Sequence, residues 1–142
     1  MSKSLITQDI KVRVSSVLNR DTKQFGRKFL FDGNDETCWN SDEGSPQWVK
    51  VEFPETVFLT SIHMQFQGGF VGKTCTLEGQ SSDEEEFDLI TECYPDDSNA
   101  LQIFPVKDCE AIKRLKITFK ESTDFFGRVT VYKLDILGYI SS

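Results

Sequence analysis

Alternation of apolar and polar positions dominates the chain. In the stretch 48–53, Val49, Val51 and Phe53 alternate with Trp48, Lys50 and Glu52; in 115–120, Leu115, Ile117 and Phe119 alternate with Lys116, Thr118 and Lys120. A period of two puts one set on the buried face of a pleated strand and the other on its wet face. Val129, Val131, Leu134 and Ile136 mark a further run whose phase changes once, as a bulge would require. Runs at 57–67, 73–77, 87–93 and 101–106, with an early one at 11–14, bring the total to about eight. Turn-forming clusters at 40–46, 67–72 and 95–99 separate them, and no window carries an amphipathic helix longer than two or three turns. The pattern predicts an all-β antiparallel sandwich, built as one domain over residues 1–142.

Composition narrows the class further. A chain of 142 residues with 38% apolar and 27% charged positions and 12 Phe is neither disordered nor fibrous, and can bury roughly 68% of its unfolded surface. No apolar run approaches the ~18 residues of a membrane span. The net charge of −7 argues against nucleic acid or an anionic membrane as direct partners, since both need dense Lys and Arg. The charge is uneven: residues 1–31 are net +5, residues 32–97 net −14, and residues 98–142 net +2. Strands distant in sequence can meet in a sheet, so the basic first and last segments could share a face opposite an acidic one. Cys38, Cys75, Cys93 and Cys109 include no close pair, and His63 is the one histidine, so nothing nucleates a zinc site. The opening MSKSLITQDI has no leader pattern and the chain has no NxS/T acceptor, so an intracellular setting with reduced, packed cysteines is expected.

Catalytic and nucleotide motifs fail on inspection. Residues 68–74, GGFVGKT, approach a phosphate loop, but Gln67 stands where its first Gly must be and a strand-like CTLEG follows where a helix must start. Asp32, Asn34, Glu36 and Glu43 fall at calcium-loop spacings, yet Thr37 replaces the Gly that makes the sharp turn. His63 lies in a strand-like run with no nucleophile elbow nearby, so no enzyme is expected. The acidic segment 81–86, SSDEEE, reads as a hairpin tip in which Ser81 and Ser82 are candidate phosphate acceptors.

The informative stretch is LFDGNDETCWNS at 30–41, with WVKVEF at 48–53. Asp32 and Gly33 start a turn, Thr37 can bond backbone groups, and Trp39 brings a large ring whose indole N–H needs a partner. At these residues the chain resembles the discoidin, or coagulation-factor type C, family of galactose-binding-like domains. The family pattern is an early SS, DGxxxTxW, W.V.F, and a late GR…LxILG; Ser15–Ser16, Asp32–Trp39, Trp48–Phe53 and Gly127–Gly138 stand in that order over about nine tenths of the chain. The resemblance implies an eight-stranded jelly roll whose loops at one end bind the ligand. It also implies a structural calcium held by Asp32, Asp35, Thr37 and the Phe29 carbonyl. The family's further acidic ligand falls near Lys133, whose ammonium could stand in for the ion.

SSVLNRDTKQFG, DETCWNSDEG, QFQGGF and TDFFGRV further resemble a small intracellular branch of that family, made of little beyond the domain. That likeness implies residence in the nucleus, and also the cytoplasm, a protein partner that is an orphan nuclear receptor, and lowered receptor transcription. The residues themselves offer two glycine-hinged loops, 67–70 and 124–128, that set aromatics beside polar groups. Gln67, Phe70, Asp124, Phe125 and Arg128 are therefore the expected partner contacts, with Trp39 and Trp48 as scaffold. A carbohydrate- or small-ligand-binding module, or a subunit of a larger assembly, are the alternatives.

Overall fold

One strand of 20 residues organises the molecule, a computed structural model that describes residues 2–82 and 85–141. β4 (Gln47–Phe66) joins the two runs that the sequence pattern separates at 48–53 and 57–67. Its first half lies between β2 (Lys11–Val14) and β8 (Ile112–Phe119). Its second half lies between β7 (Leu101–Pro105) and β9 (Thr130–Ile140). The register against β8 shifts between Glu52 and Val57, and Pro54 sits in that gap. Proline has no N–H for a ladder, so this is where the chain can leave one layer and enter the other.

β5 (Cys75–Gln80) and β6 (Asp88–Cys93) extend the first layer beyond β8. The two-residue strands β1 (Lys3–Ser4) and β3 (Trp39–Asn40) both pair with β9. All these pairings are antiparallel. The inward sets Val49, Val51, Phe53 and Ile62, Met64, Phe66 are buried, as their period of two requires. Phe119 of one layer meets Phe66 and Trp39 of the other, with ring centroids 5.7 and 6.4 Å apart. The expected jelly-roll sandwich is present, with its two middle runs fused and two short strands added. The phase change in the last run is a register shift: Gln65 faces Lys133, Phe66 faces Val131, and Tyr132 is the extra residue.

Trp39 meets the scaffold expectation, fully buried with its indole Nε1 donating to the Ser16 carbonyl at 2.9 Å. Trp48 does not. It shares the outward parity of Lys50 and Glu52, and its half-buried ring carries the Lys50 ammonium at 4.8 Å. Cys75 and Cys93, 18 residues apart, face each other across β5 and β6, where sequence spacing gave no hint of a pair. All four cysteines are free thiols, and burial raises the pKa of each, Cys75 most strongly, so they remain protonated packing groups. Ser81 and Ser82 are exposed, while Asp83 and Glu84 of the acidic tip lie outside the described residues.

Candidate functional site

The loops at one end of the sandwich are built outward from a buried amide. Gln47, 5% exposed at the start of β4, accepts at its Oε1 from Ser15 Oγ at 2.5 Å and Ser16 Oγ at 2.8 Å. Its Nε2 donates to the Gly44 carbonyl at 2.8 Å, and Ser16 Oγ accepts from the Asp42 N–H. The early SS pair thus fixes the 42–46 loop. That loop supports the next, since Gly44 N–H donates to the Phe126 carbonyl at 2.8 Å.

The 122–128 loop is closed by its own polar atoms. Asp124 Oδ2 accepts from Arg128 Nε at 2.9 Å and from the Arg128 backbone N–H at 3.1 Å, and Oδ1 accepts from Nη2 at 3.3 Å. Ser122 Oγ donates to the Arg128 carbonyl and accepts from the Asp124 N–H. The hydrogen-bonded guanidinium holds the Asp124 carboxyl below the usual aspartate range, and the carboxylate in turn raises Arg128. Gly127 adopts φ +86°, and a Cβ there would meet the Gly44 carbonyl oxygen at 2.9 Å, so only glycine closes this turn unstrained.

The 67–72 loop lies against it. Val71 N–H donates to Thr123 Oγ1 at 3.0 Å, Thr123 N–H donates to the Val71 carbonyl, and Gly72 bridges to Ser122. The Gln67 carbonyl accepts from Phe70 N–H, and its side-chain Oε1 faces the Tyr132 hydroxyl at 3.4 Å. The Arg128 guanidinium sits 5.2 Å from the Phe70 ring and 5.6 Å from the Phe126 ring, joining the two loops through cation–π contact. Phe125 is 93% exposed and packs edge-on against Phe126, itself 53% exposed. Neither ring caps the sandwich end.

All five expected contacts, Gln67, Phe70, Asp124, Phe125 and Arg128, therefore fall in one rim. Phe126, which is not among the five, lies beside them with its ring edge-on against Phe125. Asn99 and Asp97, which the sequence did not single out, brace the 67–70 loop: their side chains accept from the Gly68 and Gly69 N–H groups at 2.7 and 2.8 Å across about thirty residues of sequence.

The 30–41 turn is closed differently. Asp32 Oδ2 accepts from Thr37 Oγ1 at 2.5 Å and Asp32 Oδ1 from the Asn34 N–H at 3.1 Å. Lys133 reaches in from β9 and places Nζ 2.7 Å from Asp35 Oδ1. Phe29 precedes them in the 3-10 turn Arg27–Leu30.

Three likenesses bear on these loops. Nuclear receptor 2C2-associated protein of Danio rerio is 58% identical over 138 residues, covering 97% of this chain and 97% of that protein. The chain belongs to the nuclear receptor 2C2-associated protein family. No family model matches the chain. The F5/8 type C domain of a Bacteroides fragilis protein superposes with a TM-score of 0.84 at 13% identity, covering 99% of this chain and 98% of that one. A family 32 carbohydrate-binding module of C. perfringens NanJ, in complex with galactose, gives 0.79 at 15% identity, with 96% and 99% covered.

For this member of the receptor-associated family, the calcium implied by the discoidin fold meets an unsuitable donor set. The Asp35 carboxylate is already paired with an ammonium, and the Asp32 carboxylate takes the Thr37 hydroxyl and a backbone N–H. Among the described residues no group of three or more His, Cys, Asp or Glu side chains could hold a metal ion. Asp32, Asp35 and Thr37 do form one turn as expected, but with Lys133 as its cation the site does not fit a divalent ion.

Proposed function

We propose that this chain is a non-enzymatic interaction module that docks on a nuclear receptor through the rim of Gln67, Phe70, Asp124, Phe125 and Arg128, and lowers the receptor's transcriptional activity in the nucleus. The observation that carries this is Phe125, 93% exposed at the tip of a loop whose polar atoms are satisfied internally. A solvated phenyl ring held in place is a preformed anchor, because a partner that buries it does so with little loop ordering to offset. The Asp124–Arg128 pair and the Asp97–Gly69 contact form a polar border around the rings. The names of the relatives support the partner class. Occupying the receptor in this way would hinder its dimerisation or its access to DNA.

The test replaces both anchors. Phe70→Ser with Phe125→Ser should abolish receptor co-precipitation while the unfolding temperature stays within about 4 °C, the shift of roughly 1 kcal/mol in a domain of this size. Unchanged binding would remove the rim from the interface. A glycan-array signal lost in the same variant would make a sugar, rather than the receptor, the ligand of these rings.

A further inference from the structure

The outer face of the first layer carries a feature that the rim does not use. In the β-register Arg13 of β2 stands directly opposite Lys50 of β4, and Lys50 directly opposite Lys116 of β8. Like charges placed directly across antiparallel strands destabilise the pair. Here two such pairs share one central residue, in a chain whose net charge is −7. Burial, and then the charges of Lys116 and Arg13, lower the pKa of Lys50, so the row is electrostatically strained in the free protein.

The surroundings relieve this little. Among the described residues no carboxylate lies within ion-pair distance of Arg13, Lys50 or Lys116, although Glu78 of β5 stands opposite Lys116 in the register; Glu52 on the same face is engaged by Arg114 at 2.8 Å and Lys11 at 3.8 Å. What the row does have is aromatic: Lys50 lies 4.8 Å from the Trp48 ring and 5.9 Å from Phe87, and Lys116 lies 5.9 Å from Trp48. Beside it runs a groove of ≈ 490 Å³ whose lining includes Lys11, Arg13, Lys50, Gln80 and Phe87.

We propose that this face binds an acidic, extended peptide segment of a protein partner, with Arg13, Lys50 and Lys116 meeting its carboxylates and Trp48 and Phe87 flooring the contact. Complementarity supplies the argument: an anionic segment would convert three mutually repelling cations into paired ones. The row runs across the sheet, where neighbouring strands lie about 4.8 Å apart, so a segment laid across the strands meets the three cations in turn. Nucleic acid fits less well, because a phosphate backbone rewards long runs of cations, whereas Glu52 and Glu78 interrupt this face and the rest of the chain is acidic. The site is separate from the rim and stands whether or not the rim binds a receptor.

Fluorescence anisotropy of a labelled alternating Glu-Ser peptide of about 10 residues at ~50 mM salt tests this, where surface charges are weakly screened. The wild-type chain should bind it. Arg13→Gln with Lys50→Gln and Lys116→Gln should weaken binding by at least about tenfold while the unfolding temperature holds or rises, because repulsion is removed with the site. Phe70→Ser with Phe125→Ser should bind the peptide as wild type does, which keeps the two surfaces distinguishable. No binding by the wild type, equal binding by the triple variant, or tighter binding of a single-stranded oligonucleotide that the triple variant loses, would each overturn the proposal.

Discussion

The 30–41 turn and the 122–128 loop share a device and use it in opposite directions. Each closes on one carboxylate–cation pair, Asp35–Lys133 at 2.7 Å and Asp124–Arg128 at 2.9 Å. In the first, the chain runs on into Trp39, which is wholly buried and hydrogen-bonded to Ser16. In the second, the guanidinium lies against the Phe70 and Phe126 rings, and Phe125 beside Phe126 stands in water. The difference is in what the neighbouring strand register allows. Trp39 pairs with Val131 and so faces the core, whereas residues 124–127 form a turn before the start of β9 with no sheet to face. A loop that satisfies its own polar atoms can thus either deliver an aromatic to the core or hold one away from it.

The largest test of that contrast is paired truncation. Trp39→Ala should destabilise the chain by about 3–5 kcal/mol, the range for a buried aromatic, while Phe125→Ser should stay within about 0.5 kcal/mol, both read by urea unfolding. Comparable losses would mean that Phe125 packs in solution. Next in size is Gly127→Ala, which meets both a positive φ and the Gly44 carbonyl. It should cost about 1–3 kcal/mol and weaken receptor binding as the rim shifts; a neutral result would show the turn to be adaptable.

Smaller effects sharpen the comparison of the two ion pairs. Lys133→Met should cost no more than about 1 kcal/mol, because the Lys133–Asp35 pair is largely exposed. Lys133→Asp should make the unfolding temperature rise on adding calcium, whereas the wild-type value should not respond to calcium or a chelator. A calcium-responsive wild type would restore the ion to this turn. For Asp124 the carboxyl is held below its unfolded-state value, so its contribution is complete above the ordinary aspartate pKa of about 3.9 and disappears as pH falls through the lowered folded value. The stability difference between wild type and Asp124→Asn should therefore be present at neutral pH and close below about pH 4. A difference that persists in acid would assign it to packing.

Much of this was legible in the sequence for a definite reason. Parity along 48–53 and 115–119 decides which side chains enter the core, so the layers and their inward faces followed from Val49, Val51, Leu115 and Ile117 alone. The joining of two runs into β4 was not legible, because Pro54 reads as a break whether the chain turns or merely changes layer. Lys133 opposite an acidic turn was legible only through the family pattern. Trp48 was misassigned because size suggested the core while parity, the stronger signal, pointed outward. The Arg13–Lys50–Lys116 row depends on pairing register between residues 37 and 66 positions apart, and no local pattern carries that.

Hydrogen–deuterium exchange of the chain with and without the receptor tests the docking rim most directly. Slowed exchange at the Phe70 and Val71 amides and across residues 122–128, with little change in β6 and β7, is the expected result. Protection confined to β6 and β7, with the rim amides exchanging as in the free chain, would contradict it.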